Sequence, residues 1–207
     1  DEPLGDRLAE RVGLPVVVEN DATAAAWAEH THGAGRGAGH LLFVALGTGI
    51  GGAFFADGHL VRGRAGLAGE LGHVQVVPDG RPCPCGRTGC WERYCSGSAL
   101  RFLDGRPGPA VVAAAAEGDD VAQAALAEVG LWLGVGLANL VAVLDPDVVV
   151  LGGGLGVPEV GLLGPAGEHL ATHVLGAGHR DLPDLRYAAL GPAGGMLGAA
   201  GLARALT

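Results

Sequence analysis

The sequence has 207 residues, 49% of them hydrophobic and only 4% aromatic, enough for one sizeable core built mostly on Ala, Val and Leu. A net charge of −9 argues against a broad nucleic-acid surface on this chain. No apolar run reads as a membrane span and no secretory leader opens the chain, which points to the cytoplasm.

In chain order, residues 1–15 read as a short amphipathic helix with Leu4, Leu8 and Val12 on one face, closed by Gly13. Pro15 opens an expected strand, Val16–Val18, that runs into Glu19-Asn20-Asp21. A helix is expected over Ala22–His30, with Asp21 at or beside its N-cap and Gly33 past its end. An Asp at such a junction is a good cap, and it can also serve as a general base where the junction lines a cleft.

Leu41–Leu46 is a continuous apolar run, as a buried strand requires. It breaks at Gly47-Thr48-Gly49-Ile50-Gly51-Gly52 and resumes at Ala53–Ala56; Asp57-Gly58 turns into a third strand, His59–Val61. Four glycines around one threonine exceed what a hairpin turn needs. They suit backbone N–H groups that must approach an anion such as phosphate, although a plain hairpin is the alternative.

Between Gly69 and Glu92 the sequence gathers His73, Cys83, Cys85 and Cys90 in a Gly/Pro-rich stretch. Thiolates and an imidazole this close suit a structural zinc ion better than a disulfide, since Cys83 and Cys85 are too near each other to pair easily. Cys95 is a rival fourth ligand, but it reads better as a small core residue. Glu70 and Glu92 bracket the cluster and are candidates to face a polar ligand.

Ser96-Gly97-Ser98 leads into a helix through Phe102, and further helices are expected over Ala110–Ala116 and Ala122–Val143. Gly130, Gly134 and Gly136 suggest close packing of the last of these on another backbone. Val148–Leu151 reads as a buried strand ending in Gly152-Gly153-Gly154, which can admit a nucleotide at a sheet's edge. A helix at 162–175, a strand at 185–190 and a helix at 196–206 complete an α/β pattern.

Together, PVVVENDATAAAWAE, LGTGIGG, GELGH with CPCGRTGCWERYCSGSAL, and VVVLGGGL resemble the ROK family of sugar kinases and regulators over nearly the whole chain. The likeness is greatest to its ATP-dependent glucokinases. It implies an actin-like, hexokinase-like (ribonuclease H-like) α/β fold and phosphorylation of glucose at the 6-hydroxyl. By the resemblance Asp21 is the catalytic base, and Asn20, Glu70, His73 and Glu92 bind sugar hydroxyls. His73, Cys83, Cys85 and Cys90 hold zinc. Gly47, Thr48 and Gly49 line the triphosphate, which carries Mg²⁺, and Gly152, Gly153 and Gly154 lie beside adenosine. A homodimer is also implied. A sugar-sensing transcriptional repressor, or a kinase for another hexose such as N-acetylmannosamine or fructose, is the alternative.

The resemblance also divides the chain into a remnant of an N-terminal small lobe (1–32), a large lobe (33–195) with its zinc knuckle at 69–95, and a final helix (196–207) returning to the small lobe. The family's Asp-x-Gly-Gly-Thr phosphate hairpin has no counterpart here, so the 207 residues alone are expected to be inactive or nearly so. Gly191-Pro192-Ala193-Gly194-Gly195 is looser than the family pattern before the final helix, which bears on how that helix docks.

Overall fold

The two most apolar short runs decide the architecture. Leu41–Leu46 (β1) and Val148–Gly152 (β4) are buried along almost their full length, so they pair in parallel at the centre of a sheet. Ile50–Ala56 (β2) and His59–Leu60 (β3) extend the sheet antiparallel on one side, and Asp184–Tyr187 (β5) extends it parallel on the other. The order is β3-β2-β1-β4-β5. A computed structural model describes residues 3–205.

Side chains alternate between the two faces of the sheet. Leu42, Val44, Leu46, Val149 and Leu151 join one core with the helices Gly97–Asp104 (α3), Gly108–Ala116 (α4), Asp120–Leu144 (α5) and Leu163–His173 (α6). Leu41, Phe43, Val148 and Val150 join the other, against Asp21–His32 (α2). Gly194–Ala205 (α7) lies on α2 so closely that a Cβ at Gly198 would stand 1.7 Å from the Ala24 carbonyl oxygen. The loose 191–195 segment therefore does not prevent α7 from docking. Gly198→Ala is expected to lower stability by about 1–3 kcal/mol, because the neighbour is backbone and cannot yield easily; thermal melting of the full-length protein measures it.

Two sequence expectations need correction. Val16–Val18 is not a strand: residues 14–20 form no regular element, and Val17 and Val18 are exposed. An apolar run becomes a strand only where another strand supplies its backbone hydrogen bonds, and none does so among the described residues. Of the helix read over residues 1–15, the structure forms Leu4–Val12 (α1), with residues 1 and 2 outside the described ones, and none of its residues is buried. Second, no apolar run in the sequence reads as a membrane span, but α5 is long and apolar enough to meet the length and composition of one. Here it is a core helix: Val129, Leu133, Leu137 and Val141 are buried, and its glycines meet neighbours at close range. A Cβ at Gly136 would stand 2.0 Å from the Trp91 indole, whose Nε1 donates to the Trp132 carbonyl at 2.7 Å.

The α3–α4 and α4–α5 connections are tied by Arg106. Its guanidinium donates to Asp104 at the end of α3 (2.6 Å) and to Asp119, the N-cap of α5 (3.0 Å). Hydrogen bonds from Arg106 hold both carboxyls below the usual carboxylate range. A carboxyl with a depressed folded-state pKa contributes stability that is present above its unfolded pKa and is lost as pH falls through the folded one. Arg106→Gln is therefore expected to lower Tm at pH 7, with the gap to wild type closing below about pH 4. A pH series of melting curves checks both parts.

Candidate functional site

Parallel pairing of Leu41 with Val148 and Ala45 with Gly152 brings the C-terminal ends of β1 and β4 level. Both strands end in glycines, so the Gly47–Gly49 loop and the Gly152–Gly154 loop lie side by side at one edge of the sheet. Gly153 shows why the second loop needs glycine. Its φ is +82°, and a Cβ there would lie 2.3 Å from the Leu46 carbonyl oxygen.

The N-terminus of α2 faces the same edge. Asn20, not Asp21, is its N-cap: the Asn20 side chain accepts from the Thr23 N–H at 3.0 Å. Asp21 is the first helical residue, and its Oδ1 accepts from the Ala22 N–H at 2.8 Å. The helix dipole favours a carboxylate at that position. The cap thus falls to Asn20, and the Asp21 side chain is not needed for it.

A cleft of ≈ 750 Å³ joins these parts. Asp21, Gly47, Thr48, Gly49, Glu92, Gly152, Gly153 and Gly154 all line it. Asn20, Glu70 and His73 do not; the last two reach the cleft wall through Glu92. His73 Nδ1 lies 3.8 Å from Glu92 Oε1, and His73 Nε2 lies 3.9 Å from Glu70 Oε2. Glu92 also abuts the glycine loop, since a Cβ at Gly49 would fall 2.5 Å from its Oε2.

Sequence reasoning missed Glu29, which also lines the cleft and is only 1% exposed. Its carboxylate accepts from the N–H groups of Ala34 (2.7 Å), Ala189 (3.1 Å) and Leu190 (2.8 Å), fastening α2 to the turn before α7. The nearest sequence signal is Gly33, where a Cβ would collide with that carboxylate at 2.0 Å. A second cavity of ≈ 650 Å³ adjoins the cleft, shares Gly47, Thr48, Gly154 and Val157 with it, and is walled by Ser98, Arg101, Pro107, Val112, Leu155 and Val160. Its walls come from four separate segments, so no single motif announces it.

The ligating atoms of His73, Cys83, Cys85 and Cys90 all lie within 4.8 Å of one another. Cys83 Sγ is 3.7 Å from His73 Nδ1, and Cys85 Sγ is 3.6 Å from Cys90 Sγ. A tetrahedral zinc ion with its usual bond lengths has edges of about 3.6 Å between N and S and about 3.8 Å between two S atoms. The four residues therefore fit zinc. Burial pushes the Cys83 thiol up to about 12 and raises Cys90, whereas the Arg87 backbone N–H lowers Cys85. Cys95 is fully buried in the core and lies outside the cluster.

Residues 1–206 match the ROK family. The chain belongs to that family. Among relatives of this ROK chain, the glucokinase of Streptomyces coelicolor is 40% identical over 98% of the chain and 71% of its own length. A ROK family glucokinase from Streptomyces griseus, solved with glucose and AMPPNP, is 41% identical with a TM-score of 0.91, covering 99% of this chain and 73% of that one. A ROK family transcriptional regulator, a homologue of the Escherichia coli MLC protein, shares the fold at 28% identity and a TM-score of 0.84, covering 98% of this chain and 55% of that one. The ROK chain's sheet and helices are thus hexokinase-like, as the sequence motifs imply.

Proposed function

We propose that the full-length protein transfers the γ-phosphoryl group of ATP to the 6-hydroxyl of glucose, with Asp21 as general base. Family membership and its glucokinase relatives make it an ATP-dependent sugar kinase; glucose and the role of Asp21 are the finer parts of the reading. The observation that carries it is one cleft lined by a carboxylate at a helix N-terminus, Asp21, and by the Gly47-Thr48-Gly49 loop. In that arrangement Asp21 takes the proton from the sugar hydroxyl as its oxygen bonds to the γ-phosphorus. The bond to the bridging oxygen breaks, and ADP leaves. Little covalent chemistry is asked of the protein beyond positioning and charge neutralisation.

Thr48 and its glycines would supply backbone donors to the triphosphate, and Mg²⁺ bound with the ATP would neutralise part of its negative charge. Gly152–Gly154 lie beside adenosine, and the apolar second cavity takes the base. Glu92 binds the remaining sugar hydroxyls from the cleft wall, and Glu70, His73 and Asn20, which border the cleft without lining it, are assigned to them by the family resemblance. His73, Cys83, Cys85 and Cys90 would hold a structural zinc; ligation through His73 Nδ1 would fix the imidazole and leave its Nε2–H for Glu70 or a hydroxyl. Four protein ligands leave the ion no open position for substrate.

The test is a coupled kinase assay on the full-length protein with ATP and Mg²⁺, offering glucose, N-acetylmannosamine and fructose in parallel. Turnover should be highest in kcat/KM on glucose. Preference for another hexose would replace the substrate but keep the kinase. A folded protein that binds sugar yet turns none over would instead favour a sugar-sensing repressor.

A further inference from the structure

We propose that Ser98 is a positioning residue for phosphate binding, acting through the Gly47-Thr48-Gly49 loop. The inference rests on the reading of that loop as the triphosphate site and adds a residue that sets its shape. Ser98 is the second residue of α3, just beyond the N-cap Ser96. Its Oγ donates to the Thr48 carbonyl at 2.7 Å, and its backbone N–H donates to the same oxygen at 3.1 Å. The preceding Gly97 N–H donates to the Gly47 carbonyl at 2.8 Å. The start of α3 therefore grips two consecutive carbonyls of the loop.

Peptide geometry gives this grip a consequence. All peptide bonds here are trans, so each carbonyl drawn towards α3 turns the N–H of the next residue to the opposite side. The N–H groups of Thr48 and Gly49 are thereby aimed away from α3. The Gly47 N–H is already used by the Gly49 carbonyl at 3.0 Å. A loop this rich in glycine has many alternative conformations, and an anion site built from backbone donors works only if one of them is held. The close fit at Gly97, where a Cβ would lie 3.0 Å from the Gly47 carbonyl oxygen, belongs to the same contact. The anchor is rigid at its other end too: Ser96 Oγ accepts from the Ala99 N–H at 3.1 Å and donates to the Glu92 carbonyl at 2.6 Å.

Ser98 also borders the second cavity, so direct contact with a nucleotide is the rival account. The two differ in which part of the nucleotide they affect. In the full-length protein, Ser98→Ala is expected to weaken binding of AMPPNP and of Mg²⁺-tripolyphosphate by the same factor, about five- to ten-fold, the effect of one hydrogen bond. Adenosine and glucose affinities and Tm should stay near wild type, and Ser98→Thr, which keeps the hydroxyl, should restore tripolyphosphate binding. Isothermal titration reads the affinities. Unchanged tripolyphosphate binding in Ser98→Ala, or a loss confined to adenosine, overturns the positioning role while leaving the kinase reading intact. A wild-type protein that binds neither AMPPNP nor tripolyphosphate overturns both.

Discussion

Asp21→Asn in the full-length protein should lower kcat on glucose by about 10²–10⁴-fold, the range for losing a general base, while KM values for glucose and ATP move only a few-fold. The substitution is close to isosteric. Its oxygen can still accept from the Ala22 N–H, as Asp21 Oδ1 does at 2.8 Å, and the N-cap bond from Thr23 to Asn20 is untouched. The helix should therefore stay intact, and only the ability to take a proton should go. A fall in kcat with little change in KM marks an interaction made in the transition state. Retention of more than about a tenth of wild-type kcat would remove Asp21 from the role of base.

The second large effect concerns the metal. Cys90→Ser replaces a fully buried residue of the proposed zinc cluster with one that zinc would hold poorly. Zinc affinity should drop by on the order of 10²-fold or more, beyond the 10–100-fold seen for second-shell changes. The protein should lose its bound zinc in a competition against a chromogenic chelator. Residues 69–95 should become accessible to proteases, because among the described residues this stretch has only short 3₁₀ turns at Leu71–His73 and Trp91–Arg93 and isolated bridges such as Gln75 with Cys90. KM for glucose should rise more than KM for ATP, since His73 Nδ1 faces both Cys83 and Glu92. Full zinc occupancy in the variant would show that the cluster does not bind metal through Cys90.

These two sites differ from the fold around them in how far a one-dimensional reading reaches. Spacing alone brought His73 and three cysteines to attention, because a short Gly/Pro-rich stretch can fold back on itself and gather them without distant partners. The apolar runs of β1 and β4 were legible for a related reason: buried strands of a parallel sheet must be apolar on both faces. The glycines after each run marked the loops that border the cleft. Gly130, Gly134 and Gly136 marked close packing, although the sequence could not name the partners.

What the sequence could not supply depends on partners far away in the chain. Val16–Val18 has strand composition, but no described strand pairs with it, so it remains irregular. That Asn20 and not Asp21 caps α2 turned on backbone angles at one junction. Glu29 looks like an ordinary polar helix residue until the turn at Ala189 and Leu190 folds over it, 160 and 161 residues on. Ser98 gains its contact with Thr48 across 50 residues in the same way. The sequence by itself determined most of the elements, the His73–Cys90 cluster and the glycine loops, because these follow from local spacing and burial period. The tertiary structure decided which carboxylates face the cleft and which backbone groups are held, because a hydrogen bond between distant segments exists only once the packed core has brought them within about 3 Å.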